Sequence, residues 1–308
     1  MAGPLFRAPI LWAAELPFVR RLAQEGGLAR RVALRFVAGE RLDDALLAAG
    51  ALNARGIGAM LDHLGENIES PEQASAAADA YVLALKRIQE VGLSDANISI
   101  KLTQLGLDVS PDTCLENASR VLEAAGSTLV MIDMEASAYT ERTLNFYRDL
   151  RKDYSNVGVC IQAYLYRSAD DARVLAREGA TVRVCKGAYL EPPSVAFPKR
   201  SDVDRNFARL AASLLSAGCS VHLATHDPRL IDGARRFVEV RGIPMQQFEF
   251  HMLYGIRRDL QEKLSAEGYN VRTYIPYGDK WYPYLTRRLA ERPANVWFFL
   301  ANLLRRKG

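Results

Sequence analysis

The chain reads as an α/β protein: a (β/α)8 barrel of the TIM type, with an N-terminal helical arm and a C-terminal helix over the barrel mouth. Three observations predict it. Short β-type runs recur from Ile57 onward at intervals of roughly 24 to 40 residues, the length of a strand, a helix and two loops. Helix-start signals fall between those runs. No shift of composition divides the chain, and its 308 residues hold one barrel of ~250 residues plus a short extension.

Taken in order, residues 1–56 show helical periodicity at 16–37 and 43–52 without a strand, which predicts the arm, and residues 57–308 form the barrel domain. The eight strands are expected at 57–64, 97–102, 128–133, 157–164, 181–185, 220–225, 246–250 and 270–275. Between them, Ser70-Pro71-Glu72-Gln73 combines a cap, a first-turn proline and a capping-box glutamine, and Ser110-Pro111 and Ser201-x-x-Asp204 are read the same way. Strict alternation of strand and helix implies parallel strands with right-handed crossovers, and eight units favour closure. An open doubly wound sheet is the competing architecture, but no Gly-x-Gly-x-x-Gly follows any strand. The apolar run from Asn295, ending in Arg305-Arg306-Lys307, has the pattern of a closing barrel helix and, alternatively, of a helix lying on a membrane surface.

Composition narrows the functional classes. Forty basic against thirty-six acidic side chains give a formal charge of +4, too little over this length to indicate a nucleic-acid partner. The cysteines Cys114, Cys160, Cys185 and Cys219 form no Cys-x-x-Cys spacing and sit mostly in apolar runs, which predicts reduced buried thiols and a cytoplasmic protein. The N-terminal stretch is too short and too interrupted for a signal peptide or a span.

Side chains at the carboxyl ends of barrel strands surround the functional face, and alternate strand residues point inward. On the second strand Ile98, Ile100 and Leu102 face the helices, so Ser99 and Lys101 face in. The same rule sends Leu129, Met131 and Asp133 inward on the third, ends the fourth on Gln162 and places Arg183 inward on the fifth. On the sixth it ends on Thr225 after Val221 and Leu223. Five polar side chains thus share one mouth, where paired charges are the affordable arrangement. Lys186-Gly187-Ala188-Tyr189 follows the fifth strand as a turn whose glycine lets backbone amides approach a phosphate or flavin. His222 and His226 are four apart along a strand and His63 and His251 lie at strand ends, so pocket lining is expected and no metal. After the eighth strand, Tyr284, Arg288 and Glu291 recur at i, i+4 and i+7 on one helix face beside Arg287, an arrangement suited to a small zwitterion. Two other readings stay open on these residues: a Schiff-base aldolase using Lys101 or Lys186, and a non-catalytic amino-acid-binding protein.

The motifs that carry a family resemblance are His63-Leu-Gly-Glu, Ser99-Ile-Lys101-Leu-Thr-Gln-Leu-Gly, Ile132-Asp133-Met134-Glu, Gln162-Ala-Tyr-Leu, Arg183-Val184-Cys185-Lys186-Gly187-Ala188-Tyr189, Ala224-Thr225-His226, Phe250-His-Met-Leu253 and Tyr284-Leu-Thr-Arg287-Arg288-Leu-Ala-Glu291. In this order they resemble the FAD-dependent proline dehydrogenases, monofunctional bacterial type. The resemblance implies a distorted barrel with noncovalent FAD at the carboxyl ends of its strands, oxidation of L-proline to Δ1-pyrroline-5-carboxylate, and Asp133 and Arg183 as catalytic residues. It implies FAD contacts from Met134, Gln162, Arg183, Val184, Cys185, Lys186, Gly187, Ala188, Thr225 and His226. Proline is implied to lie among Lys101, Arg287, Arg288, Tyr189, Leu253, Tyr274, Tyr284 and Glu291. A quinone acceptor, a separate pyrroline-5-carboxylate dehydrogenase and peripheral contact with the inner face of the membrane are implied likewise. Asp227 stands where relatives often carry Asn and is left out of the FAD set.

Overall fold

Parallel strands covered on both faces must be apolar toward their helices and are free to be polar toward the barrel axis, and this chain divides its strand residues that way. The computed structural model describes residues 34–65 and 68–291, with the side chains of 287–291 outside that description. Its elements are α1 (Leu42–Asn53), β1 (Gly58–His63), α2 (Pro71–Glu90), β2 (Ala96–Ile100), α3 (Pro111–Ala125), β3 (Val130–Ile132), α4 (Thr140–Asp153), β4 (Val157–Gln162), α5 (Ser168–Arg177), β5 (Thr181–Cys185), α6 (Arg200–Ser216), β6 (Ser220–Ala224), α7 (Pro228–Arg241), β7 (Phe248–Leu253), α8 (Arg258–Ala266), β8 (Val271–Tyr277) and α9 (Trp281–Glu291). All eight strands pair in parallel with their sequence neighbours, and β8 closes on β1 from Arg272 opposite Gly58 to Tyr277 opposite His63.

The helix-facing residues Leu61, Ile98, Ile132, Val159, Val182, Val221 and Phe250 share one buried core with Tyr81 of α2, Leu122 of α3, Tyr147 of α4 and Leu214 of α6. Toward the axis, Met131 packs so close to Gly158 that a Cβ there would stand 2.8 Å from its Cε, so glycine makes the room. Two helix starts form as expected: Ser70 accepts from the Gln73 amide at 3.3 Å while Gln73 accepts from the Glu69 amide at 2.8 Å, and Ser110 accepts from Asp112 at 3.2 Å. The third does not. The helix begins at Arg200 with Lys199 in the cap position and no side-chain cap, because Asp204 is engaged by Lys186 at 2.5 Å.

Of the N-terminal arm, α1 is described; it sinks Ala45, Leu46 and Ala49 into the barrel core. Residues 34–37 form a turn rather than the end of the helix expected to reach 37. Val37 instead joins Leu64, Trp281, Tyr282, Tyr284 and Leu285 in a second apolar cluster. Backbone bonds fix the same corner: Ala38 donates to the Pro276 carbonyl at 2.9 Å and Gly278 to that of Gly39 at 3.0 Å. That sets the start of α9 beside the carboxyl ends of β1 and β8. The periodicity at 16–33 and the run from Asn295 lie outside the described residues, among which no helix is long and apolar enough to cross a membrane.

Candidate active site

The interior residues nearest the carboxyl ends of β1, β2, β3, β5 and β8 meet in one network. Arg183 reaches across the barrel to pair with Asp133, whose Oδ1 also accepts from Ser99 Oγ at 2.5 Å. Asp133 Oδ2 takes the Tyr274 hydroxyl at 2.7 Å and the Lys101 ammonium at 3.1 Å. Lys101 Nζ lies 2.5 Å from Asp62 Oδ1, and the Arg183 guanidinium stands over the Tyr274 ring, 5.5 Å from its centroid. Burial by itself would push the Asp133 carboxyl up, but Arg183 and Lys101 outweigh it and hold Asp133 down at about 2. Burial likewise works against the Lys101 charge, and Asp62, with Tyr274 and Asp133, reverses it and raises Lys101 well above the ordinary lysine range. Held between the Asp62 and Asp133 carboxylates, Lys101 is placed as an ammonium rather than as the free amine a Schiff base needs, which speaks against it in the aldolase reading.

Beside this network, Gln162 donates from Nε2 to the Met134 carbonyl at 3.3 Å, while its Oε1 is buried without a hydrogen-bond partner. An orphaned buried acceptor marks a place for a donor from outside the chain. Gly187 follows at φ +111°, and a Cβ there would run into the Tyr164 ring at 2.3 Å, so the backbone passes closer than any other residue allows. Lys186 sits between Asp204 at 2.5 Å and Asp227 at 3.3 Å, with Arg200 and Arg229 on the same carboxylates. His226 accepts the Leu253 amide on Nε2 at 2.9 Å, which ties the loop after β6 to the end of β7. Glu191 accepts from the Ser137 amide at 2.7 Å and from its hydroxyl, pinning the loop after β5 to the loop after β3.

With Lys101 and Arg183 paired to Asp62 and Asp133, and an acceptor left open to an outside donor, the site offers charged groups of both signs that a redox cofactor and a small zwitterionic substrate would meet. The proline dehydrogenase family model matches residues 45–300. This chain belongs to the proline dehydrogenase family. It is a family of oxidoreductases, and its members include close matches in length. The proline dehydrogenase of Deinococcus radiodurans is 41% identical over 99% of this chain and 100% of its own. Proline dehydrogenase 2 of Bacillus subtilis strain 168 is 37% identical over 94% of this chain and 95% of its own. Among solved structures, proline utilization A from Bdellovibrio bacteriovorus, inactivated by N-propargylglycine, superposes with a TM-score of 0.79 at 23% identity, over 93% of this chain and 36% of that longer one. The last likeness is one of fold.

Against the family's implied site, the structure gathers Lys101, Asp133, Gln162, Arg183 and Tyr274 at one mouth. Val184 does not join them: its side chain points into the helix-facing core, leaving its backbone on the strand. Met134 contributes its carbonyl, to Gln162. Cys185 lies with its Sγ 3.6 Å from that of Cys160, and all four cysteines are free thiols. Tyr189 and Ala188 lie on the loop after β5, and the buried Tyr284 stands on α9. Arg287, Arg288 and Glu291 lie on the α9 backbone, and their side chains fall outside the described residues.

Three expectations are corrected. The sixth strand has the opposite phase: Arg183 is registered with His222, so His222 and Ala224 face the axis while Val221 and Leu223 face the helices. Thr225 follows the strand, where its hydroxyl accepts the Asp227 amide at 3.1 Å. His251 is not at a strand end, because β7 continues to Leu253; its ring stacks on His222 with centroids 4.4 Å apart. His222, Glu249 and His251 form a ligand-like group, but Glu249 is already gripped by Arg272 at 2.8 and 3.1 Å and by His251 at 3.0 Å, so a metal would have to displace a guanidinium. His63 packs edge-on against Tyr81 rather than lining the mouth. Sequence reasoning missed Asp62; the alternation used for β2 to β5, applied to Met60 and Asp62, would have found it.

Proposed function

We propose that the protein oxidises L-proline to Δ1-pyrroline-5-carboxylate with a noncovalent FAD, as the first step of proline catabolism to glutamate. In this reading residues 57–308 form the catalytic barrel and 1–56 the arm. The observation that carries it is the Arg183–Asp133 pair fixed at the mouth beside the orphaned Gln162 Oε1, in a chain of this family. The residues fit the cofactor. Gln162 Oε1 suits a ring N–H, the close backbone at Gly187 suits a phosphate approach, and Lys186 brings a cation to that approach. Met134, Val184, Cys185, Ala188, Thr225 and His226 complete the assigned cofactor set.

When bound, FAD supplies the two-electron chemistry that removes hydride from the carbon next to nitrogen. The chain's own contribution is orientation and charge. In this reading the carboxylate is assigned to Lys101, Arg287 and Arg288, the ring to Tyr189, Leu253, Tyr274 and Tyr284, and the amine to Glu291. Arg183 is held on Asp133 before any ligand arrives, so its positive charge costs no rearrangement when negative charge develops beside it. Burial and the carboxylates around it push the Tyr274 hydroxyl far up, which keeps it a donor to Asp133. Electrons pass on to a quinone and a separate dehydrogenase takes the product, which places the protein in the cytoplasm with peripheral contact at the membrane.

The deciding measurement is the visible spectrum of the purified, FAD-reconstituted protein under anaerobic conditions. A flavin spectrum bleached by L-proline is the expected result. A protein that retains no flavin, or a bound flavin that proline leaves oxidised, overturns the reading.

A further inference from the structure

The two carboxylates at the mouth are held very differently. Asp133 receives Ser99, Arg183, Tyr274 and Lys101. Asp62, 1% exposed, takes Lys101 at 2.5 Å on Oδ1 with the Tyr274 hydroxyl as a weaker stabilising neighbour, and its Oδ2 has no hydrogen-bond partner. A fully buried carboxylate is expensive, and this one is spent on a single ammonium. We propose that Asp62 is a positioning residue that keeps Lys101 charged and set toward the carboxylate of the substrate. The proposal rests on the proline reading above and on Lys101 as a carboxylate partner.

The groups that bear on Lys101 are Asp62 and His63 from β1, Tyr81 from α2, Asp133 and Glu135 after β3, and Tyr274 from β8. Burial opposes its charge, and among these groups Asp62 supports it most. With Asp62 gone, the nearest remaining carboxylate oxygen is Asp133 Oδ2 at 3.1 Å, which already takes the Tyr274 hydroxyl, while Arg183 holds the other oxygen of the same carboxylate. Lys101 then shares a single carboxylate with Arg183, in place of having one to itself, and gives up its proton at a lower pH.

The test is Asp62→Asn in the FAD-loaded enzyme, with proline compared against its uncharged amide, prolinamide, by spectral titration. Loss of a charge-assisted bond predicts a KM for proline about tenfold higher, growing with pH, while kcat changes less than about threefold. Prolinamide binding stays within about twofold, because an amide makes no ion pair with Lys101. In a Lys101→Met background the same substitution adds no further loss. Asp62→Glu, which keeps the charge but shifts Lys101, covers the case in which the Asn variant fails to fold, and it too raises the proline KM alone. Equal weakening of proline and prolinamide, or losses that add to those of Lys101→Met, overturns the proposal. Bleaching of the wild-type flavin by proline reports separately on the oxidation itself, so the two ideas fail independently.

Discussion

Arg272 and Arg183 are both buried guanidiniums pointing to the axis of one barrel, yet they belong to networks of opposite character. Arg272, near the amino end of β8, is satisfied by the chain itself: Glu249 takes it through two bonds, Asp95 accepts at 2.7 Å and the Ala59 carbonyl at 3.1 Å. Even the start of β1 is shaped around it, since a Cβ on Gly58 would stand 2.9 Å from its Nη1. Arg183 and its neighbours leave acceptors over, at Gln162 Oε1 and Asp62 Oδ2. The network around Arg272, closed but for His222 Nδ1, holds the barrel together, whereas the one at the carboxyl ends leaves carboxylate and amide acceptors over for a ligand.

The largest effect should come from breaking the closed network. Arg272→Met strands Glu249 in the interior, and unfolding in urea should show a loss of about 3 to 5 kcal/mol, with flavin bleaching by proline retained in the folded fraction. A stability near wild type would erase the distinction between the two ends. Next in size, Arg183→Met should lower kcat/KM for proline by about 100- to 1,000-fold, since it removes a preorganised charge at the site. Its stability loss should be smaller than that of Arg272→Met, because Asp133 keeps Lys101, Ser99 and Tyr274. An active, destabilised variant would reverse the assignment.

The smallest effect is in acid. Burial holds His251 at about 4, against the pull of Glu249, and pushes His222 well below the ordinary range in the same direction. An unfolded histidine titrates near ~6.5, so as pH falls from there toward 4 the unfolded chain takes up protons that the folded one refuses, and stability is lost. Asp133, held at about 2, has a stabilising contribution that is full above the unfolded carboxylate value of ~3.9 and declines only below it. His222 and His251 of the closed network thus contribute acid sensitivity above pH 4, to which His63, also lowered by burial, adds. His251→Gln should flatten the dependence of the urea midpoint on pH across that window; an unchanged slope would locate the sensitivity elsewhere.

Alternation along single strands made much of this legible. The inward course of Ser99, Lys101, Asp133, Gln162 and Arg183 follows from a period of two, and eight β-type runs with capped helices between them imply a closed parallel barrel. β6 departs from that legibility: its apolar Val221 and Leu223 face the helices, and the axis here is lined by His222 and Ala224. Period alone sets two faces without saying which is the inner one; pairing with Arg183 decides that. The same limit hid the role of Asp204, which looks like a helix-capping residue until Lys186 claims it across the loop.

By itself, then, the order of residues determined the strand count, the alternation and which residue types reach the mouth, because these are properties of neighbours along the chain. Tertiary structure decided which charge meets which. Lys101 finds Asp62 at a separation of 39 residues and Arg183 finds Asp133 at 50. Only closure of the barrel, through the register of β8 on β1 that sets Tyr274 opposite Met60 and Pro276 opposite Asp62, brings Tyr274 beside the strand that carries Asp62 and completes the network. A buried charge is stabilised by whatever stands a few ångströms away in space, and that distance is set by the fold rather than by position along the chain.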